Sequence, residues 1–554
     1  MNHSSKLTAL LACLALGGAA HGQTGPAITT LKVGVDGGDQ NDFHYYGQSG
    51  GIAAYSMGTT SCNPGTQVVQ WTSSNHPVIG QDFFRLKDGR FEQLGQSWLK
   101  HGFCAVNESG CGSCQPTSCD TLGIGCADTY WATLNDGSGG GPKYQVNPTT
   151  GVHPDPYPSP SGNATLRGRL QVAVSDIDPA QNPGAVFFAE AQYVSASTAQ
   201  AGNGGIANSW RKLNVVSVSN IDGGGPTNVN QCAPYAWRSI DPQVVVADFM
   251  NTNEGGSGMH GHYTLAYRVT DLGLGMYRYN YVVYNRTSDR SAGSFAVPLG
   301  NNVTISNVYF HDVAYHSGEP FNSNDWVTSQ SSNMFTWQTD QTYNQNPNAN
   351  ALRWGTMWSF GFDADAPSIS GQAEVGMFKP GGGSDVLFVG VRHPGDGTPT
   401  TGTPFCFGDG TGTFCPCLNF GYGGHGCENG TFNTGCRAWG SGDASVSGDT
   451  LVLNHATATP SQPGLYFQGD TALNGGNGIT FGDGLRCAGD NVIRLQTVFS
   501  DGGGGGATSI SIGAAGGVAP GDTKRYQFWY RDPVLSPCGF NFNTSNGVEI
   551  NWVP

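Results

Sequence analysis

Charge is what this chain has least of. Asp, Glu, Lys and Arg make up 12% of its 554 residues, against roughly 25% in an ordinary soluble domain. A long solvated helix lined with ion pairs is therefore not expected. Positive charge is scarcer still: 25 basic residues face 40 acidic ones, a formal net charge of −15. Such a surface repels a phosphate backbone, so nucleic acid is excluded as a partner. Beyond the N-terminal leader no stretch reaches the ~18 apolar residues of a membrane span, so no transmembrane anchor is expected in the mature chain. Nor does the sequence contain HExxH, a Walker A loop or an EF-hand loop. Metalloprotease, nucleotide-hydrolase and EF-hand readings lose their usual support.

Glycine fills 85 positions, about twice the usual ~7% share. With so much glycine and so little charge, strands and tight turns are favoured over helices. Apolar and polar residues alternate in "MYRYNYVVYN", "DTLVLNHA" and "NVIRLQTVF", the period of half-buried strands. Turn residues interrupt them at short intervals, as in all-β sandwiches and jelly rolls. The fold class expected is all-β and disulfide-bonded: a large antiparallel β-sandwich-type N-terminal region followed by a smaller C-terminal β-sandwich or jelly roll. The best helical stretch is "GRFEQLGQSWLKHGF", where Phe91, Leu94, Trp98 and Leu99 are three to four apart.

Residues 1–22 read as a secretory signal peptide, with Lys6, an apolar run from Leu7 to Leu16 and small residues at Ala20 and Gly22. Residues 23–390 form the N-terminal region, with a candidate seam at 147–163. "VRHPGDGTPTTGTP", residues 391–404, reads as a Gly/Pro/Thr linker, and 405–554 as the C-terminal cysteine-containing module. The localisation expected is secreted, extracellular or cell surface. In that compartment clustered cysteines mean disulfides rather than zinc. The disulfide candidates are Cys62, Cys104, Cys111, Cys114, Cys119, Cys126 and Cys232, then Cys406, Cys415, Cys417, Cys427, Cys487 and Cys538. With Cys436 the mature chain has seven cysteines on each side of the linker. Two odd sets require either one bridge between the halves or a free thiol in each.

Several constellations are candidates for chemistry. His260 and His262, two apart in "MHGHYTLAYRV", share a strand face, as imidazole metal sites often require. "FHDVAYHSGEPF" adds His311, Asp312 and His316, although His311 and His316 point apart on a straight strand. These five residues form the candidate metal set. Calcium or zinc are the cofactors considered, with Asp36, Asp39 and Asp42 as an alternative calcium loop that also reads as a solvated turn. "GQSGG" matches G-x-S-x-G, but the strand-like "IAAYSMGTT" that follows does not fit a nucleophile elbow at Ser49. Trp354 and Trp358, an even number apart in "RWGTMWSFGF", are the candidate sugar-stacking platform; core packing is the competing use.

The stretches "RLKDGRFEQLGQSWLKHGFCAV", "FHDVAYHSGEPF", "NANALRWGTMWSFGFDADA", "CFGDGTGTFCPC" with "GCENG", "FGDGLRCAGDNVIRL" and "YQFWYRDP" resemble those of a family of secreted bacterial proteins of uncharacterised activity. The resemblance implies an extracellular, β-rich chain with a recurrent cysteine-bearing C-terminal module, and no reaction. It also implies that Cys436 is additional to that module's six cysteines and unpaired. The function expected is a non-enzymatic secreted or cell-surface protein that binds glycan or another envelope component. The alternative is an extracellular hydrolase, metal-dependent through the histidine strands or acting on glycans through paired carboxylates. Convergence of the four histidines on one cavity would favour the hydrolase, and their dispersal beside a tryptophan-bearing face would favour binding.

Overall fold

The computed structural model describes residues 23–35, 42–72, 74–205, 207–273, 276–301, 303–331, 333–395 and 401–554. The signal-peptide reading, Asp36, Asp39 and the middle of the expected linker lie outside them. Nearly all the regular structure is antiparallel strand, so the chain is all-β as expected.

Three layers make up most of the N-terminal region. Strands Val327–Gln330, Met334–Gln338, Ala292–Pro298, Ser368–Met377 and Val386–Pro394 form one five-stranded sheet. A second contains Val245–Gly256, Met259–Gly273, Met276–Asn285, Thr356–Ala364 and Ile305–His311. Between them Tyr279, Tyr281, Phe360 and Phe362 meet Phe295, Phe335 and Trp337. The second sheet also buries its other face: Val282, Tyr284 and Met357 pack on Phe84, Phe91 and Phe188 of a nine-stranded sheet. Strand Met276–Asn285 is thus covered on both sides. Its polar positions need partners there, and Asn280 donates to the Gly89 carbonyl at 3.1 Å.

Covering both faces also explains why the helical expectation at residues 91–99 fails. Arg90–Gln96 is a strand. Phe91 and Leu94, three apart, point to opposite faces of it, and both are buried, Phe91 toward the second sheet and Leu94 in the core on the far side. A strand buried on both faces can mimic helical spacing. Gly95 lets strand Leu170–Ala173 close in, because a Cβ there would sit 1.8 Å from the Gln171 carbonyl oxygen.

The C-terminal sandwich packs Pro463–Gly469, Thr523–Arg531 and Gly547–Asn551 over Arg437–Ser441 and Val452–Ala456. Tyr466, Tyr526, Phe528, Leu453 and Ile550 lie in its core. Both described ends of the expected linker are strand: Val386–Pro394 on one side, and Thr403–Phe405 paired with Gly547–Asn551 on the other.

Six disulfides join Cys62–Cys111, Cys104–Cys119, Cys114–Cys126, Cys406–Cys487, Cys415–Cys427 and Cys417–Cys538. Cys232 and Cys436 are free and buried. One free thiol in each half, rather than a bridge between halves, resolves the odd counts. Cys232 leaves the disulfide set because its sulfur packs against Thr264 Oγ1 at 3.2 Å, with no second cysteine in reach. Burial pushes the Cys232 thiol up to about 12 and raises Cys436 as well. Both are therefore protonated and shielded at neutral pH. Residues 23–554 should yield no reaction with Ellman's reagent when folded and two thiols in guanidinium, read by absorbance. A fast-reacting native thiol would contradict this burial.

Candidate functional site

The sequence-predicted histidines do not converge on one cavity: the rings of His260 and His262 lie 6.0 Å apart edge to face, but His311 and His316 lie elsewhere. His260 Nδ1 accepts from the Asn253 backbone N–H at 3.1 Å. His262 lies beside Gly205 and Arg286, and burial lowers it to about 4. His311 Nε2 lies 3.3 Å from the Gln93 carbonyl. His316 is buried, with Nε2 2.8 Å from the Arg169 carbonyl and its ring 5.3 Å from that of Trp98; burial again lowers it to about 4. Asp312 accepts from the Asn350 amide at 2.6 Å. These are separate structural roles, and among the described residues the five form no ion-sized cluster. "FHDVAYHSGEPF" is the end of strand Ile305–His311 and the turn after it. Burial lifts Glu319 in that turn to about 7.

Trp354 and Trp358 are also placed differently from a ligand platform. Trp358 is fully buried against Phe310 and Trp326. Trp354 is buried too, its indole N–H donating to the Lys143 carbonyl at 3.0 Å. Strand Thr356–Ala364 is buried throughout, which leaves no open face for Trp358, and Trp354 lies just before that strand. Of the calcium loop, the described Asp42 is paired with Arg211 at 2.6 Å. Ser49 ends the strand Phe43–Ser49, and its hydroxyl accepts from Asn163.

An open aromatic face exists elsewhere, on the outer side of the C-terminal sheet. Alternation in Thr523–Arg531 sends Tyr526, Phe528 and Tyr530 inward, and leaves Trp529 and Arg531 outward. Register places Leu465 beside Trp529, with Thr497 of the edge strand next across. Trp529 is held edge-on by Phe481 and Phe542, at centroid distances of 5.5 and 5.7 Å, and remains half-exposed. Its indole N–H has no hydrogen-bond partner among the described residues. Two continuous shallow grooves share Leu465 and Trp529; Arg531 lines one, Arg486 and Arg494 the other, and neither lining contains a carboxylate. Phe499, 68% exposed, extends the edge strand nearby. The period of two in "YQFWYRDP" already hints at Trp529, since an inward series at 526, 528 and 530 leaves 529 outside.

Sequence reasoning also missed three histidines that do converge: His76, His101 and His153, one ring nitrogen of each lying within 4.8 Å of the others. They are 25 and 52 residues apart, a spacing with no motif. Strand pairing of Val78 with His101 brings the first two together.

No family model matches this chain, and no curated protein matches it. A solved structure titled "Biofilm associated protein - BSP domain" is 9% identical, covering 96% of this chain and 81% of its own, with a TM-score of 0.13. A likeness at that score carries no argument.

Proposed function

We propose that this is an extracellular or cell-surface, non-enzymatic protein whose C-terminal sheet binds an anionic polysaccharide. The observation that carries the reading is the Trp529 groove with Arg486, Arg494 and Arg531 and no carboxylate in its lining. A half-exposed indole offers a flat apolar surface to a sugar ring and a free N–H to its hydroxyls. Three guanidiniums can hold carboxylates or sulfates in bidentate fashion. In a chain of net charge −15, an acid-free basic patch selects anionic polymer against the field of the rest of the surface. Dispersal of His260, His262, His311 and His316 supports binding over the hydrolase reading. The six disulfides support an oxidising compartment, and no helix among the described residues is long and apolar enough to cross a membrane.

Affinity electrophoresis in gels containing polygalacturonate, alginate or neutral dextran tests this. The wild type should be retarded by the acidic polymers alone. Trp529→Ala should weaken retardation about tenfold, roughly 1.4 kcal/mol. An Arg494→Ala, Arg531→Ala double variant should weaken it comparably and flatten its salt dependence. Equal mobility of wild type and Trp529→Ala in every gel would sink the reading. Retention by dextran that survives the arginine changes would reassign the groove to neutral glycans.

A further inference from the structure

The convergence of His76, His101 and His153 owes nothing to the groove and concerns a different face of chemistry. His76 follows the Thr72 to Asn75 turn, His101 ends the short strand Lys100–His101, and His153 sits on the proline-rich 147–163 stretch. The Val78 to His101 pairing and the Gly102 N–H bond to the Pro77 carbonyl, 2.9 Å, fix the first two side by side. A bridge between Asn147 and Val152 starts the loop that delivers the third. His76 and His101 are each 5% exposed, whereas His153 keeps part of its ring at the surface. The site is therefore built, yet open on one side.

The hydrogen bonding matches a set of ligands. His76 Nδ1 lies 3.2 Å from the Thr72 carbonyl, so that nitrogen carries the proton and Nε2 carries the lone pair. That Nε2 is 2.7 Å from His101 Nδ1. His153 has Nδ1 at 3.1 Å from the Pro154 carbonyl and Nε2 at 3.1 Å from the His76 carbonyl. A neutral imidazole has a single N–H, so it satisfies only one of those two oxygens. With Nδ1–H on Pro154, His153 Nε2 offers its lone pair to the same place as His76. A backbone carbonyl on the far nitrogen is what orients metal-ligating histidines. Tyr157 stacks on His101 at 3.4 Å between ring centroids and covers the cluster from the loop side.

We infer that His76, His101 and His153 form a three-imidazole site for a borderline divalent transition ion, zinc or copper, which fastens the 147–163 loop to the sheet. Neutral imidazoles without a carboxylate are the donor set for such ions and a poor one for calcium or magnesium. Ligand bonds of about 2.0–2.1 Å place tetrahedral donor nitrogens about 3.3 Å apart. The 2.7 Å contact therefore opens slightly while His153 turns inward on its loop. No redox step is implied.

The test uses the full mature chain, purified without affinity metals, dialysed and titrated with Zn²⁺ by calorimetry, with Co²⁺ absorption as a probe of coordination. One Zn²⁺ per chain is expected, with visible d–d bands for Co²⁺ and a higher Tm when Zn²⁺ is added. His153→Ala, at the edge of the fold, should weaken Zn²⁺ binding at least tenfold and abolish the Zn²⁺-dependent rise in Tm. His260→Ala should leave both unchanged. His101→Ala is the stronger change but sits in a packed position, so its fold is checked by circular dichroism and His153→Ala carries the decision. Absence of stoichiometric Zn²⁺, Cu²⁺ or Co²⁺ binding, or binding unaltered in His153→Ala, would overturn the inference.

Discussion

Lowering the pH from 7 to 5 should destabilise this protein by about 2–4 kcal/mol, a fall in Tm of about 2–4 °C for a chain of this length. Five histidines away from the His76 cluster drive it, and His101 acts in the same direction. Burial lowers His262, His316, His393, His425 and His455 to about 4 each, from an unfolded value near 6.5. Below pH 6.5 the unfolded chain takes up protons that the folded one refuses. The stability they contribute is complete above pH 6.5 and is lost as pH falls toward 4. Buried acids act in the opposite sense. Glu190 and Glu319 are raised to about 7 and Asp128 to about 6, all chiefly by burial. They keep protons that the unfolded chain releases, so they favour the fold as pH falls from 7 toward their unfolded values. Asp82, Asp312 and Asp532 are raised by burial as well, and the lowered histidines are expected to outweigh these acids together. Thermal melts at pH 7, 6 and 5 in matched ionic strength check the balance, and a Tm that rose on acidification would show that the acids dominate.

The second large effect is local. Lys143→Met should cost about 3–5 kcal/mol at pH 7, the usual range for stripping one partner from a buried ion pair. Lys143 Nζ lies 3.0 Å from Asp82 Oδ1 and 3.0 Å from the Gly355 carbonyl, and both side chains are almost wholly buried. Gln93 adds one N–H to Asp82 at 2.9 Å, too little to carry a full charge in that setting. Burial already raises the Asp82 carboxyl, and Lys143 opposes that shift. Without the ammonium, Asp82 should protonate more readily, so the deficit should shrink at lower pH. Asp82→Asn in the Lys143→Met background should recover part of the loss. Urea unfolding of the two singles and the double gives the coupling; a Lys143→Met chain within about 1 kcal/mol of wild type would deny the pair its role.

Strand content was legible because period-two patterns do not depend on what lies beyond the strand. "MYRYNYVVYN" coincides with strand Met276–Asn285. What covers each face was not legible: the same alternation serves a half-buried strand or, as at Tyr279 and Tyr284, one packed between two sheets. The false helix at Phe91 and Leu94 has the same origin. Site residues suffered more. His-x-His at 260 and 262 is a local pattern, but its two rings serve separate neighbours. His76, His101 and His153 meet only through strand register and a loop, neither of which leaves a mark on composition or spacing. Tryptophan was read where it clusters, at 354 and 358, while the half-buried Trp529 sits alone among core aromatics.

The disulfide pattern bears on how the chain must be made. In order along the chain, the six bridged cysteines of the N-terminal half pair first with third, second with fifth and fourth with sixth. Those of the C-terminal half pair first with fifth, second with fourth and third with sixth. Neither half joins consecutive bridged cysteines, so an oxidant that links thiols in their order of emergence produces none of the native bonds. Correct maturation then depends on thiol–disulfide exchange, and a production host should supply an isomerase as well as an oxidant. Because no bridge crosses between halves, the N-terminal three can be sorted out before Cys406 emerges, whereas Cys417 must wait for Cys538, sixteen residues from the end.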